Sequence, residues 1–284
     1  MTPPPLLEWT EPQLQVLRSV AEAAGQAILG IYARLAAEGP AGAGVALQHK
    51  ADASPLTEAD LLADRTIRTQ LSAHFAGLAV LSEEGDARWD DFDAAAGYFL
   101  VDPLDGTKEF LARNGEFTVN IAWVRAGRVR AGVVHVPALG ETFWGAAGLG
   151  AWKAEAQGAG TAIRVAALPA EGATLRVLAS RSHGGAAQRA YLKRLPQPIS
   201  CIETGSSLKF CRVAEGAADL YPRLTATMAW DTAAGQAVLE AAGGVVLGTE
   251  GAPLRVPGRP REAPNPPFIA ASSAALAQRV VAVL

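Results

Sequence analysis

Cysteine is scarce in these 284 residues: there are two, Cys201 and Cys211. They have neither a metal-ligand nor a redox spacing, so the expectation is buried thiols in a reducing compartment. Charge of one sign is also missing. With 25 basic and 28 acidic residues the net charge is −3, which predicts no strong attraction to nucleic acid or to an anionic membrane. No stretch approaches the length of a membrane span, and the chain runs from Met-Thr-Pro-Pro-Pro to Glu8 and Glu11 without a basic region or an apolar run. A secretory signal is therefore not expected. A cytoplasmic protein is the default, with peripheral association with the inner membrane face left open. Internal repeats, heptads and low-complexity blocks are absent too, apart from a general excess of alanine.

What is present is hydrophobic mass. Half of the residues are apolar, ample for a large core in one domain or in two lobes folded together. Thr10 with Gln13 has the form of a capping box, and Leu14, Leu17, Ala21, Ala24, Ile28 and Ile31 then recur at helical spacing. A Gly/Ala loop is expected from Ala37 to Gly44. Thr57 offers a second N-cap for a helix running past Asp60 to about Phe75. Short apolar strands are expected at Leu78–Leu81 and Tyr98–Val101. Phe117–Val124, Arg128–Val136 and Thr142–Ala147, separated by Gly-containing turns, read as an antiparallel meander.

The lobe boundary is expected at Gln157–Gly160, dividing an α+β lobe (1–157) from an α/β lobe (158–284). In the second lobe strands at Leu175–Ala179 and Asp219–Tyr221 alternate with helices at Ser207–Ala214 and Asp231–Ala242. The proline-rich stretch Pro253–Pro267 reads as a surface loop before a last strand and helix.

Acidic residues gather where elements begin or end. Glu83 and Glu84 follow "AVLS", Asp102 and Asp105 lie in "LVDPLDGTKEF", and Asp60 and Asp231 each open a helix. Carboxylates just beyond strand ends converge readily, because neighbouring strands lie about 5 Å apart. In "DPLDGT", Pro103 fixes one backbone angle and Gly106 permits a tight bend, so Asp102 and Asp105 can face the same side. Two carboxylates held so close repel unless a cation lies between them. Oxygen ligands suit Mg²⁺, which keeps several waters and is completed by substrate phosphate. The Leu104 carbonyl is a further candidate ligand, and the Thr107 hydroxyl is placed to orient a water or a phosphate oxygen. Taken singly, each feature reads as a turn, a solvated strand end or a helix cap. Their joint occurrence, in this order, has no such reading.

With "EE" at 83–84, "DPLDGT" at 102–107 and "WD" at 230–231 before Gly243-Gly244, the chain resembles the lithium-sensitive phosphomonoesterase superfamily. That group includes inositol monophosphatases, fructose bisphosphatases and bisphosphate nucleotidases. The resemblance covers nearly the whole chain. It implies an α/β fold layered α/β/α/β/α, a metal cluster between the lobes and sensitivity to lithium. "KADASPLTEAD", "DPLDGTKEFLARNGEFTVNIA", "ASRSH" and "GSSLKFCRVAEGAADLYPR" are similar to the CysQ-type 3'(2'),5'-bisphosphate nucleotidases. Inositol monophosphatases usually carry Asn where Glu109 stands.

That resemblance implies a small nucleotide bisphosphate as substrate, with no nucleic-acid partner and an oligomeric state left open. It assigns His183, Ser206, Lys209 and Arg223 to the nucleotide and the phosphate that is not hydrolysed. Lys209 and Arg223 are independently suitable, since a second phosphate needs cations away from the metals, and Ser206 lies near a helix N-terminus. Two or three Mg²⁺ ions are expected. One would be held by Glu83, Asp102 and the Leu104 carbonyl, and a second by Asp102, Asp105 and Asp231. Asp60, Glu83 and Thr107 would take or orient the proton of the attacking water. Glu83, Leu104, Asp105, Gly106, Thr107 and Asp231 would also meet the substrate. An inositol or sugar phosphatase using the same metals, and a nucleotide sensor without catalysis, stand as alternatives. The water-activating set speaks against the sensor.

Overall fold

The computed structural model describes residues 8–38, 48–49, 55–56, 58–85, 93–156, 158–180 and 186–284. The first helix, α1 (Glu11–Glu38), starts at the expected capping box. The Thr10 N–H donates to Gln13 Oε1 at 3.0 Å, and the Gln13 N–H donates back to the Thr10 hydroxyl at 3.4 Å. The apolar stripe from Leu14 to Ile31 is buried throughout. The helix continues to Glu38, past the expected start of the loop. Residues 39–47, Thr57 and Gln157 lie outside the described residues. β1 (Gln48–His49) and β2 (Pro55–Leu56) form a small antiparallel pair, and α2 runs Glu58–His74.

A seven-stranded sheet follows in sequence order. Its strands are β3 (Ala79–Ser82), β4 (Tyr98–Asp105), β5 (Thr118–Arg125), β6 (Arg128–Val136), β7 (Glu141–Ala146), β8 (Gly150–Glu155) and β9 (Thr161–Ile163). The β3–β4 pair is parallel and every later pair antiparallel, as a meander requires. A short helix, α3 (Thr107–Ala112), interrupts the β4–β5 connection. Two strands at the end of the meander went unread in the sequence. Because β9 pairs with β8, the first sheet extends through Ile163, beyond the segment expected to divide the lobes.

The second sheet has five strands in the order β11–β10–β12–β14–β13. These are β10 (Leu175–Ser180), β11 (Ile199–Thr204), β12 (Leu220–Arg223), β13 (Val245–Gly248) and β14 (Phe268–Ala271). The helices between and after them are α4 (Ala186–Leu192), α5 (Leu208–Ala214), α6 (Trp230–Ala241) and α7 (Ala274–Val281).

Three clusters of buried side chains define the layers. One joins α1 and α2 to a face of the first sheet through Phe99, Ile121 and Trp123. The second packs α5 and α6 between the two sheets, and the third sets Tyr191, Leu276 and Val280 against the far face of the second sheet. The layering is therefore α/β/α/β/α. Helix α6 lies so close to the first sheet that a Cβ on Gly132 would meet the Ala234 carbonyl at 2.6 Å. That approach brings Asp231, in the first turn of α6, over the ends of β3 and β4.

The stretch 253–267 is more than a surface loop. Leu254, Val256 and Asn265 are buried. The Val256 N–H donates to the Gly127 carbonyl at 3.0 Å, and the Asn265 N–H donates to the Thr227 carbonyl at 2.8 Å. Of the two thiols, Cys211 is buried as expected, but Cys201 is exposed.

Candidate active site

The acidic residues meet at the C-terminal ends of β3 and β4. Parallel pairing sets Ser82 opposite Val101, so the next residues, Glu83 and Asp102, lie side by side. The Glu83 N–H extends the ladder, donating to the Val101 carbonyl at 3.0 Å. Beyond Asp102 the strand does not end as expected but continues to Asp105 through a bulge. Asp102 pairs with Asn120 and Asp105 with Thr118, three steps on one strand against two on the other. The extra residue turns both aspartates to one face, which an unbroken strand would have placed on opposite faces. The bulge also explains how Pro103 is tolerated between two paired strands. Gly106 then adopts φ +87°, and a Cβ there would meet the Ser206 hydroxyl at 2.2 Å.

One oxygen each from Glu83, Asp102 and Asp231 lies within 4.8 Å of the others. Asp231 is held by its own N-terminal neighbours: one carboxylate oxygen accepts from the Thr227 hydroxyl and, at 3.0 Å, from the Met228 N–H. Asp102 is buried, and one of its oxygens accepts from the Leu104 N–H at 3.1 Å. Asp105 stands slightly apart from this trio. Its Oδ2 accepts from the Ser207 N–H at 2.7 Å. Glu83, Asp102, Leu104, Asp105, Gly106, Thr107 and Asp231 line one cavity of about 260 Å³. Glu84 is not among its lining residues. Asp60, buried at the start of α2, acts on Asp102 through its charge.

The electrostatics set what this cluster can hold. Burial, then the charges of Glu83, Asp105, Asp231 and Asp60, push the Asp102 carboxyl well above its ordinary value. Burial and Asp105 push Asp231 up to about 7. Burial raises Asp105 as well, opposed by Lys209 and by the Ser207 hydrogen bonds. Like charges held together out of water favour a bound proton or a bound cation. Carboxylate oxygens, a strand-end carbonyl and room for waters form the donor set that Mg²⁺ accepts. The residues therefore fit the ion.

The cationic side of the same cavity comes from the second sheet and α5. Lys209 is 4 % exposed, with its ammonium donating to the Ser206 carbonyl at 2.7 Å and the Thr204 carbonyl at 3.3 Å. Burial lowers it to about 8, against the attraction of Asp105. Arg223, at the end of β12, lines the cavity with its Nε buried and without a hydrogen-bond partner among the described residues. Ser206 has φ +47°, and its hydroxyl donates to the Asp105 carbonyl at 3.2 Å. His183 lies outside the described residues.

Sequence reasoning missed Ser207, Thr227, Asn120 and Arg261. The Asn120 amide donates to the Ser207 hydroxyl at 3.0 Å, and that hydroxyl lies 2.5 Å from the Asp231 carbonyl. The Asn120 and Asp231 contacts of Ser207 join residues far apart in the chain, and nothing in local spacing marks them, whereas Thr227 lies four residues before Asp231.

The match to known proteins agrees with this geometry. The family model described as "Inositol monophosphatase family" matches residues 9–283. The chain is 45% identical over 205 residues to the 3'(2'),5'-bisphosphate nucleotidase CysQ of Escherichia coli K12, covering 72% of this chain and 80% of that protein. The protein of the same name from Salmonella typhimurium is 41% identical over 241 residues, covering 85% and 92%. Among solved structures, CysQ from Bacteroides thetaiotaomicron superposes with a TM-score of 0.75 at 35% identity, over 93% of this chain and 98% of that one. The suhB protein of Bartonella henselae shares the fold, with a TM-score of 0.76 at 24% identity over 96% and 98% of the chains. The chain belongs to the inositol monophosphatase family.

Proposed function

We propose that this protein is a Mg²⁺-dependent 3'(2'),5'-bisphosphate nucleotidase that releases the 3'-phosphate of adenosine 3',5'-bisphosphate, leaving AMP. The 5'-phosphosulfate relative of that nucleotide is the second substrate considered. One observation carries the reading: a single cavity joins a cluster of three carboxylates, Asp102 buried at its centre, to two cationic side chains, Lys209 and Arg223. An enzyme acting on one phosphate while holding another needs both features. The names of the relatives at 41–45% identity support the same substrate class.

The side chains divide the work. Glu83, Asp102, Asp105 and Asp231, with the Leu104 carbonyl, would hold the ions. When bound, Mg²⁺ supplies charge neutralisation at the phosphoryl oxygens and acidifies a water. Thr107, at the start of α3, would orient that water, and Glu83 and Asp60 would receive its proton. Gly106, with no side chain, leaves room for the Ser206 hydroxyl to close on the turn. Arg223, which lines the cavity, would meet the phosphate that stays with its guanidinium. Lys209 contributes its charge, and by holding the 204 and 206 carbonyls it also shapes the loop that meets the nucleotide. Lithium inhibition belongs to the same reading, since Li⁺ is close to Mg²⁺ in size but carries half the charge.

The test is metal removal. EDTA should abolish phosphate release and Mg²⁺ restore it, whereas Asp102→Asn should fold but stay nearly inactive at any Mg²⁺ concentration. Turnover by the metal-stripped protein at the full rate would refute the reading.

A further inference from the structure

Arg261 lies midway along the 253–267 stretch, far in sequence from every acidic ligand. Its Nη2 donates to the main-chain carbonyls of Ser82 (2.5 Å), Glu83 (3.1 Å) and Gly85. Those carbonyls belong to the turn that carries Glu83. The same guanidinium sits 6.0 Å from the centre of the Trp230 ring, and Trp230 directly precedes Asp231. One side chain thus touches the supports of two carboxylates, one after the end of β3 and one in the first turn of α6, with oxygens within 4.8 Å of each other.

The stretch around it is tied at both ends. Val256 is bonded to the β5–β6 turn at Gly127. On the other side, the Asn265 amide donates to the Thr232 hydroxyl at 2.7 Å and the Met228 carbonyl at 3.2 Å, on either side of Asp231. Arg261 therefore projects from an anchored strap, not from a free loop. The long planar side chain reaches the turn and the Trp230 ring at once, with the two N–H donors of Nη2 shared among the three carbonyls.

We infer that Arg261 is a positioning residue for the metal cluster, fixing the Glu83 turn against the Trp230–Asp231 segment so that the carboxylates are spaced for a divalent cation before it arrives. It touches neither substrate nor ion. The inference rests on the metal-site reading above. Residues that orient metal ligands from behind typically set 10- to 100-fold in metal affinity.

The test is Mg²⁺ binding by calorimetry to wild type, Arg261→Ala and Arg261→Lys, with Asp102→Asn as the blank and melting temperature measured alongside. Arg261→Ala should weaken Mg²⁺ binding by roughly 10- to 100-fold. At saturating Mg²⁺ its KM for adenosine 3',5'-bisphosphate should stay within about twofold of wild type, because no substrate contact is lost. Arg261→Lys, which keeps the charge on a shorter stem, should fall between the two and serves where the alanine variant does not fold. Wild-type Mg²⁺ affinity in a folded Arg261→Lys or Arg261→Ala protein would overturn the inference while leaving the metal site intact. A raised KM with unchanged Mg²⁺ affinity would also overturn it, by making Arg261 a substrate contact. Wild-type protein that binds no Mg²⁺ would overturn the functional reading together with the inference.

Discussion

Asp105 and Ser207 meet across the boundary between the two sheets: the carboxylate accepts the Ser207 N–H at 2.7 Å, with the Ser207 hydroxyl 3.2 Å away. The same hydroxyl lies 2.5 Å from the main-chain carbonyl of Asp231 and receives the Asn120 amide at 3.0 Å. A residue outside the cavity lining thus ties two acidic segments to one point.

Ser207→Ala should therefore loosen the site without removing a ligand. Losing a buried hydroxyl that satisfies several partners costs about 2 kcal/mol, which lowers the melting temperature by roughly 4–8 °C. Thermal melts with and without Mg²⁺ check this. A variant as stable as wild type would show that the hydroxyl network is incidental.

The pH dependence of stability follows from the carboxyl groups. Asp102 and Asp231 both have folded-state values raised above those of the unfolded chain, Asp231 to about 7. The metal-free folded protein then holds more protons than the unfolded one between about pH 4 and about pH 7. The stability that these groups contribute is fully present below that window and lost as pH rises through it. Mg²⁺ competes with the same protons, so its stabilising effect should be larger at about pH 8 than at about pH 5. Melting curves across this range check both signs. A Mg²⁺-induced shift that does not change with pH would place the ion elsewhere.

Much of this was legible in the sequence, for physical reasons. The period of α1 and its Thr10–Gln13 box are local signals, and every apolar residue of that stripe is buried as expected. The "DPLDGT" segment placed Asp102, Asp105 and Gly106 together, but as a turn. The strand in fact runs on through a bulge, which depends on pairing with Thr118 and Asn120 that no local pattern encodes. The strand Gly150–Glu155 was lost among small residues, and β9 is held by pairing with it. Arg261 was hidden for the opposite reason: it stands in a proline-rich stretch that reads as surface, and its importance comes only from what lies opposite.

Arg223 and Lys209 separate recognition from scaffolding. Arg223 is the cleaner probe, because it lines the cavity and is not the residue that holds the 204 and 206 carbonyls, and a hydrogen bond to a charged group contributes about 1.5–3 kcal/mol. Arg223→Ala should lower kcat/KM for adenosine 3',5'-bisphosphate roughly 10- to 150-fold and leave adenosine 3'-monophosphate almost unchanged. Lys209→Ala should lower both, because its ammonium also holds the 204 and 206 carbonyls, and should melt earlier. Equal losses on the two nucleotides in Arg223→Ala, at unchanged stability, would remove the case for a second phosphate at that residue.

The most direct measurement is phosphate release, at saturating Mg²⁺, from adenosine 3',5'-bisphosphate, inositol 1-phosphate and fructose 1,6-bisphosphate by the same preparation. A cavity that pairs the tricarboxylate cluster with Arg223 and Lys209 predicts the highest kcat/KM for the nucleotide, by at least about tenfold, equivalent to one charged hydrogen bond. An inositol or sugar phosphate turned over as well as, or better than, the nucleotide would contradict the account.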